Sequence, residues 1–469
     1  MSPFTLQQLI SAVRGQPSEA VNSGMLVERI ETDSRRVRRG DLFWALRGER
    51  FDGHAFIGDA ASRGAIACVA AKSHINNDVS LPAIAVDDTL VALWDFAAWY
   101  RNQFEPMVIG VTGSVGKTTT RHLLHTVLSQ RFFGTQNPGN FNNHVGLPLS
   151  LLTIDSSHEF AVLEMGASRV GEIGRLAALA RPEAAVLTMI APTHLDEFGT
   201  IDKIAQTKGE LLEALPTSGF AVLNGDDHRV RHLASRARCR VILVGENPEN
   251  DVVARHVTAD DGLIRFCVDR SEFALPAVGR HHLLSATIAI AVAREIDMSD
   301  DDIAAGLANF QPMPGRCRLV SIGDWLVIDD TYNASPVSMA AACETLVDWQ
   351  NARKRLLVVG DMLSLGAATE AFHWKLGQHI GSTTIDNVLV LGSQADTVSR
   401  SARQAGLDSG RIGVCQNLET LTALLDCWLE PGDVVLVKGS RGMRMERVIE
   451  ALQTLAGRAT QTTQRRAAA

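Results

Sequence analysis

Short apolar runs that end in glycine or polar turn residues, and lead into apolar positions at helical spacing, recur along this chain. Those at 107–112, 160–163 and 184–190 have strand length, and those at 326–330, 355–359, 387–391 and 433–437 repeat the arrangement. Strands alternating with helices predict parallel sheets. Residues 248–280 differ, alternating polar and apolar positions as short antiparallel strands do. Residues 94–99 read as a helix, and a stripe of Leu123, Leu124, Val127 and Leu128 marks another. A third stripe holds Ile201, Ile204, Ala205, Leu211, Leu212 and Leu215, with Lys208 inside it. An inward cation needs an explanation.

At 469 residues the chain is too long for one ordinary core. Turn-forming stretches at 102–106 and 311–315 divide it into an opening domain at 1–105, a central domain at 106–312 and a third at 313–457. Residues 458–469, rich in Thr, Gln and Ala, are expected to be unstructured. The expected class is α/β, with a small α/β first domain, a central phosphate-loop domain on a parallel sheet and a Rossmann-like third domain. None of the third-domain strands carries G-x-G-x-x-G, so a dinucleotide is not expected.

A net charge of −8 argues against a broad nucleic-acid-binding face. Seven cysteines without a C-x-x-C pair predict reduced thiols, not a disulfide or zinc framework. No apolar run reaches the ~18 residues that span a bilayer, and the first residues lack a basic stretch before an apolar core. A cytoplasmic protein is expected.

The strongest chemical pattern lies at 107–120, where the strand runs into Gly113-Ser114-Val115-Gly116-Lys117-Thr118-Thr119 and then a helix. Gly113 and Gly116 let backbone N–H groups close on phosphate oxygens, Lys117 brings a charge to the β/γ-phosphates, and Thr118 offers a hydroxyl to Mg²⁺. ATP with Mg²⁺ is the expected ligand.

Other candidates stand at strand ends, where open α/β sheets bind ligands. Glu164 closes the 160–163 run and can hold Mg²⁺ or cap the next helix. His194 follows the 184–190 run, as a ligand or a structural histidine. Lys208 is either a snorkelling stem or a functional group. The amide-rich stretch 137–148, with Asn142 and Asn143, binds a polar ligand or caps its own backbone. Arg35 beside Ser34 grips a diphosphate or is simply solvated. Lys438-Gly439-Ser440-Arg441, between the last strand and last helix, converges on a carboxylate, or Ser440 caps that helix. His281 and His282 are not expected to pair on a metal, since adjacent helix residues do not share a face.

Gly110-Val111-Thr112-Gly113-Ser114-Val115-Gly116-Lys117-Thr118 is similar to the ATP loop of the Mur ligase family, which joins amino acids to the peptidoglycan precursor, and to that of its relative folylpolyglutamate synthase. Asp33-Ser34-Arg35 and Asp52-Gly53-His54 resemble the UDP-binding first domain of that family, and Thr207-Lys208-Gly209-Glu210 its carbamylated lysine. The resemblance runs over residues ~30–450 in ordered motifs. It implies that Ser34 and Arg35 hold UDP, and that Asn142 and Asn143 contact the sugar diphosphate. Thr118, Glu164, His194 and carbamylated Lys208 would serve two Mg²⁺ sites. Arg316 would reach the γ-phosphate, and His282, Asp330 and Asn333 the rest of the nucleotide. His282 and Ser285 stand where the family usually has Asn, Ser335 replaces another Asn, and Ser364 replaces an acid.

Lys438-Gly439-Ser440-Arg441 resembles the branch that adds D-alanyl-D-alanine, which implies that Lys438, Ser440 and Arg441 bind that dipeptide. The reaction implied is ATP-dependent amide formation between UDP-N-acetylmuramoyl-tripeptide and D-alanyl-D-alanine, carried out by a monomer. A ligase for the third residue, a folylpolyglutamate synthase-like ligase and a regulatory NTPase are the alternatives.

Overall fold

The computed structural model describes residues 1–48, 51–75 and 80–467, with side chains as far as residue 457. The chain packs as two compact units. One comprises 1–110, 132–166 and 174–183, and the other 111–131, 167–173 and 184–469.

In the first unit, Gln16–Pro17, Ala83–Val86, Ala67–Ala71, Leu42–Trp44 and Ile30–Glu31 form a sheet in that order. Its pairs are parallel except at the Gln16–Pro17 edge. Residues 67–70 are all buried, as expected where both faces of a parallel strand are covered. The helix Thr89–Arg101 starts where the Asp88 carboxylate accepts the N–H groups of Leu90 and Val91. Fully buried Trp44 donates its indole N–H to Thr89 O at 2.8 Å. The last turn of this helix draws later chain into the unit. Tyr100 donates its hydroxyl to Ile154 O at 2.7 Å, and the buried Arg101 donates Nε–H to Ala180 O at 3.0 Å. A buried guanidinium without such a partner carries a heavy desolvation cost. Gly134–Gln136 and Phe160–Glu164 pair in parallel in the same unit.

In the second unit, Ala184–Leu187, Phe220–Asn224, Arg240–Gly245 and the start of Val252–Asp260 form a parallel series. Val252–Asp260, Leu263–Val268 and Ser271–Leu275 then continue as an antiparallel meander, the pattern read from 248–280. The helix Leu283–Glu295 is apolar all round and buried on nearly every side, with Ala286, Ile288, Ala289, Ile290 and Val292 fully enclosed.

The second sheet of this unit runs Arg318–Ile322, Trp325–Asp330, Val434–Lys438, Arg355–Gly360, Asn387–Leu391, Ile412–Cys415. Only the Arg318–Ile322 edge is antiparallel. Side-chain alternation divides each strand between two cores. Val434, Leu436, Leu357 and Val388 enter one, and Val435, Val437, Leu356 and Leu389 the other.

The last helix, Glu446–Ala467, runs through most of the stretch expected to lack structure, and residues 468–469 of that stretch lie outside the described residues. Among the described residues no helix is long and apolar enough to cross a membrane.

Candidate active site

The strand Met107–Thr112 ends in a turn that only glycine can make without strain. Gly113 has φ +147 and Gly116 φ +87. A Cβ on Gly113 would lie 2.0 Å from Thr188 Oγ1, so the loop backbone closes directly on the residues that follow Ala184–Leu187. Thr188 donates its hydroxyl to Val115 O at 2.6 Å, and Ser114 N–H donates to Met189 O at 2.7 Å. These bonds explain why the strand read over 184–190 stops at Leu187: Thr188 and Met189 are spent on shaping the loop. Lys117 opens the helix Lys117–Leu128 and folds back to donate to Gly113 O at 2.9 Å and Ser114 O at 3.2 Å. Its charge therefore sits over the loop. Val115 and Thr119 fall within this turn and first helical turn.

Arg316 donates Nη2–H to Thr118 Oγ1 at 3.2 Å, bringing a second cation to the loop from the other end of the unit. Lys208 is buried at 3% exposure, within reach of Ala167 O at 3.4 Å and 5.8 Å from the centre of the Phe198 ring. The inward lysine read from the stripe is thus a buried one and not a snorkelling stem. His194 has left-handed backbone at φ 52 and begins the short helix Leu195–Phe198. Burial, and then the charges of Lys117 and Lys208, push its imidazole below the ordinary histidine range, against smaller opposing effects of Glu197 and Asp196. Neutral imidazole is the form that ligates metals.

Glu164 lies in the first unit, buried at the end of Phe160–Glu164. Asn142 Nδ2 donates to its Oε1 at 2.6 Å, while its buried Oε2 has no hydrogen-bond partner. It does not cap the next helix, since neither of its oxygens accepts an N–H group from it. A buried carboxylate oxygen left unpaired is costly, and an oxygen-seeking cation such as Mg²⁺ suits it. The capping reading holds for Asn143, whose Oδ1 accepts from Val145 N and Gly146 N. Arg35 turns back onto Asp33 through two bonds of 2.9 and 2.7 Å, and Ser34 is buried beside it. Sequence reasoning missed that Arg29, Thr32, Arg36, Gly139 and Phe141 line a cleft of about 640 Å³ in this unit. The charged turn was the only signal.

At the sheet edge of the second unit, Lys438 pairs with Asp330 Oδ2 at 2.5 Å and donates to Asn333 O at 3.0 Å. Ser440 makes no helix cap; its Oγ accepts Leu363 N–H at 2.8 Å. Arg441, 64% exposed, is the member of the Lys438-Ser440-Arg441 group that faces outward. Of the four departures from the family pattern, Ser285 shares a hydrogen bond with Thr120 at 2.9 Å and Ser335 caps the helix Pro336–Val347. Ser364 O accepts Leu195 N–H.

The side chains of His281 and His282 come together, although helical spacing was expected to part them. They occupy the single 3-10 turn Arg280–His282, and their ring centroids are 4.3 Å apart. Cys317 Sγ lies 3.6 Å from His281 Nε2, and one donor atom from each of the three falls within 4.8 Å of the others. Burial, and then the charge of Lys438, push the His281 imidazole below the ordinary histidine range. His282 is deeply buried, its Nε2 without a partner, and burial holds it neutral well below the ordinary range. Beside Cys317, a cleft of about 500 Å³ is lined by His122, Pro312, Met313 and Pro314.

A strand, a glycine turn with a lysine over it and a helix make this a phosphate-loop nucleotide-binding α/β protein. Family models match in chain order: "Mur ligase family, catalytic domain" at 26–99, "Mur ligase middle domain" at 111–293 and "Mur ligase, glutamate ligase domain" at 315–441. The chain belongs to the Mur ligase family. It is 34% identical to the UDP-N-acetylmuramoyl-tripeptide--D-alanyl-D-alanine ligase of Bacillus subtilis, across 96% of this chain and 98% of that one. A crystal structure of MurF from Acinetobacter baumannii aligns with TM-score 0.86 and 30% identity over 97% of this chain and 99% of that one. MurF from Thermotoga maritima in complex with ADP aligns with TM-score 0.81 and 32% identity, over 92% and 99%.

Proposed function

We infer that this chain is an ATP-dependent amide ligase that joins D-alanyl-D-alanine to UDP-N-acetylmuramoyl-tripeptide, giving the pentapeptide precursor of peptidoglycan. The observation that carries this is the formed phosphate loop, with Lys117 over it and Arg316 at Thr118, in a chain 34% identical along nearly its whole length to ligases of that name. The three segments 1–105, 106–312 and 313–457 serve as the UDP-sugar, ATP and acceptor domains.

A carboxylate is a poor acyl donor. The terminal carboxylate oxygen of the tripeptide attacks the γ-phosphorus of ATP, ADP leaves, and an acyl phosphate forms. Lys117 and Arg316 neutralise charge on the transferring group. The amine of D-alanyl-D-alanine then attacks the acyl carbon, loses a proton as the amide forms, and phosphate departs. Gly113, Ser114, Val115, Gly116 and Thr119 wrap the phosphates with backbone N–H groups. His282, Asp330 and Asn333 hold the rest of the nucleotide. Ser34, Arg35, Asn142 and Asn143 hold the UDP-sugar, and Lys438, Ser440 and Arg441 the acceptor carboxylate.

Mg²⁺, when bound, supplies charge to the phosphates. Glu164 fits it in the first unit, and Thr118, His194 and a carbamylated Lys208 in the second, with two ions in all. Carbamylation gives the buried Lys208 a reason: addition of CO₂ converts a cation that repels Mg²⁺ into an oxygen ligand. The reaction runs in the cytoplasm on a monomeric enzyme.

Phosphate release from ATP with UDP-muramoyl-tripeptide, with and without D-alanyl-D-alanine, tests the reading. Release that depends on the dipeptide and yields a pentapeptide product is expected. Release with the dipeptide precursor plus diaminopimelate alone moves the protein to the third-residue ligases, and release without any acceptor makes it an NTPase.

A further inference from the structure

Two guanidinium groups share one ring in the second unit. Arg316 Cζ lies 3.9 Å and Arg441 Cζ 5.7 Å from the ring centroid of Tyr332, both within cation–π reach. Tyr332 is one of two tyrosines in the chain. Arg316 extends from this ring to donate to Thr118 Oγ1 at 3.2 Å, and Arg441 extends from it to the half-exposed Glu446 at 3.3 Å.

The ring itself is anchored through its backbone. Tyr332 N–H donates to Gly315 O at 3.1 Å, and Gly315 N–H donates to Asp329 Oδ2 at 2.9 Å. Gly315 has φ +74, and a Cβ on it would sit 3.0 Å from Tyr332 N and Cβ. The turn before Arg316 and the residues after Trp325–Asp330 therefore form one clasp that fixes the platform. An arginine on a mobile stem spreads over many rotamers, and stacking its planar head on a fixed ring removes most of them.

We propose that Tyr332 is a positioning residue that holds Arg316 on the nucleotide phosphates and Arg441 on the carboxylate of the acceptor, coupling the two ends of the reaction through one aromatic face. Its nucleotide half stands on the contacts at Thr118. Its acceptor half rests on the ligase reading above. Both contacts are to the ring, so the ring and not the hydroxyl carries the effect.

The test compares Tyr332→Phe with Tyr332→Leu. Tyr332→Leu is expected to weaken a non-hydrolysable ATP analogue by about tenfold while leaving ADP within about twofold, and to raise KM for D-alanyl-D-alanine by about tenfold. Tyr332→Phe is expected to stay within about twofold of wild type on every measure. In an Arg441→Ala background, Tyr332→Leu should raise that KM no further. The proposal is overturned if Tyr332→Phe is as impaired as Tyr332→Leu, or if Tyr332→Leu matches wild type. It is equally overturned if Tyr332→Leu weakens ADP and the analogue alike together with a lowered thermal midpoint, which is what a merely structural role produces. Should wild type show no turnover with D-alanyl-D-alanine, the ligase reading fails, and the comparison of analogue with ADP still decides the role of Tyr332 toward Arg316.

Discussion

Positive charge is held differently at two regions of the molecule, the turn around residues 29–41 and the surroundings of the phosphate loop. In the first, arginines meet carboxylates: Arg35 closes on Asp33, and Arg29 on Glu31 and Asp41. In the second, Lys117 leans on loop carbonyls, Lys208 on a carbonyl and a ring, and Arg316 on a hydroxyl and a ring. Paired arginines are neutralised in place and would have to exchange partners to take a diphosphate. Arg316, resting on a hydroxyl and a ring, keeps its positive potential for an incoming polyanion. The cost of the second arrangement is visible in His194, depressed by burial and then by Lys117 and Lys208. The benefit of the first is visible in Asp33, where the hydrogen bond from Arg35 holds the carboxyl below its usual range.

The contrast can be broken or sharpened by substitution. The largest effect is expected at Lys117, where Lys117→Ala should lower kcat for phosphate release by about 10³-fold, the scale of losing one preorganised charge at a developing anion. A loss below about tenfold would show that the loop cation is not central to catalysis. Next comes Lys208→Ala, expected to cost about 10²-fold, with part of the activity restored by a small carboxylate such as acetate or formate. Full activity in the variant, or no restoration, removes the carbamate from the scheme.

A smaller effect is expected from pH. His282 is held neutral in the folded chain, well below its unfolded value of about 6.5. Between those two values the unfolded state binds the extra proton, so stability rises with pH across that window and is lost as pH falls below about 6.5. Urea melts between pH 7 and 5 should show a shallower slope in His282→Gln than in wild type; parallel slopes would mean that the ring titrates normally. The smallest effect belongs to the turn around residues 29–41. Asp33→Asn removes the half-buried partner of the exposed Arg35, and KM for the UDP-muramoyl-tripeptide should move by about threefold or less, with the kinetics of ATP unchanged. A change as large as that at Lys208 would erase the distinction between the two regions.

Much of the site was legible because its geometry is local. The glycines at 113 and 116, the lysine one residue on and the apolar run before them require a strand, a turn and a helix in that order, whatever surrounds them. Lys208 was legible as a buried cation because it shares a helical face with Ile201, Leu211 and Leu212. That the rings of His281 and His282 meet was not legible, because any helical turn parts adjacent residues and the rings are brought together only by how the side chains turn in the packed chain. The cleft beside Arg29 and Arg36 was missed because it joins residues 29–36 to 138–153, and no period links those stretches.

The pattern of apolar runs and turns settles which elements form, that most of the strands are parallel, and which side chains stand at strand ends, because side-chain direction follows from backbone repeat. Partners are another matter. Arg316 reaches Thr118 across 198 residues, and Lys438 is turned inward to Asp330 across 108, so that Arg441 is left facing solvent. Such pairs depend on which strands become neighbours and on the desolvation that makes a buried charge seek a partner, and both exist only once the chain has packed.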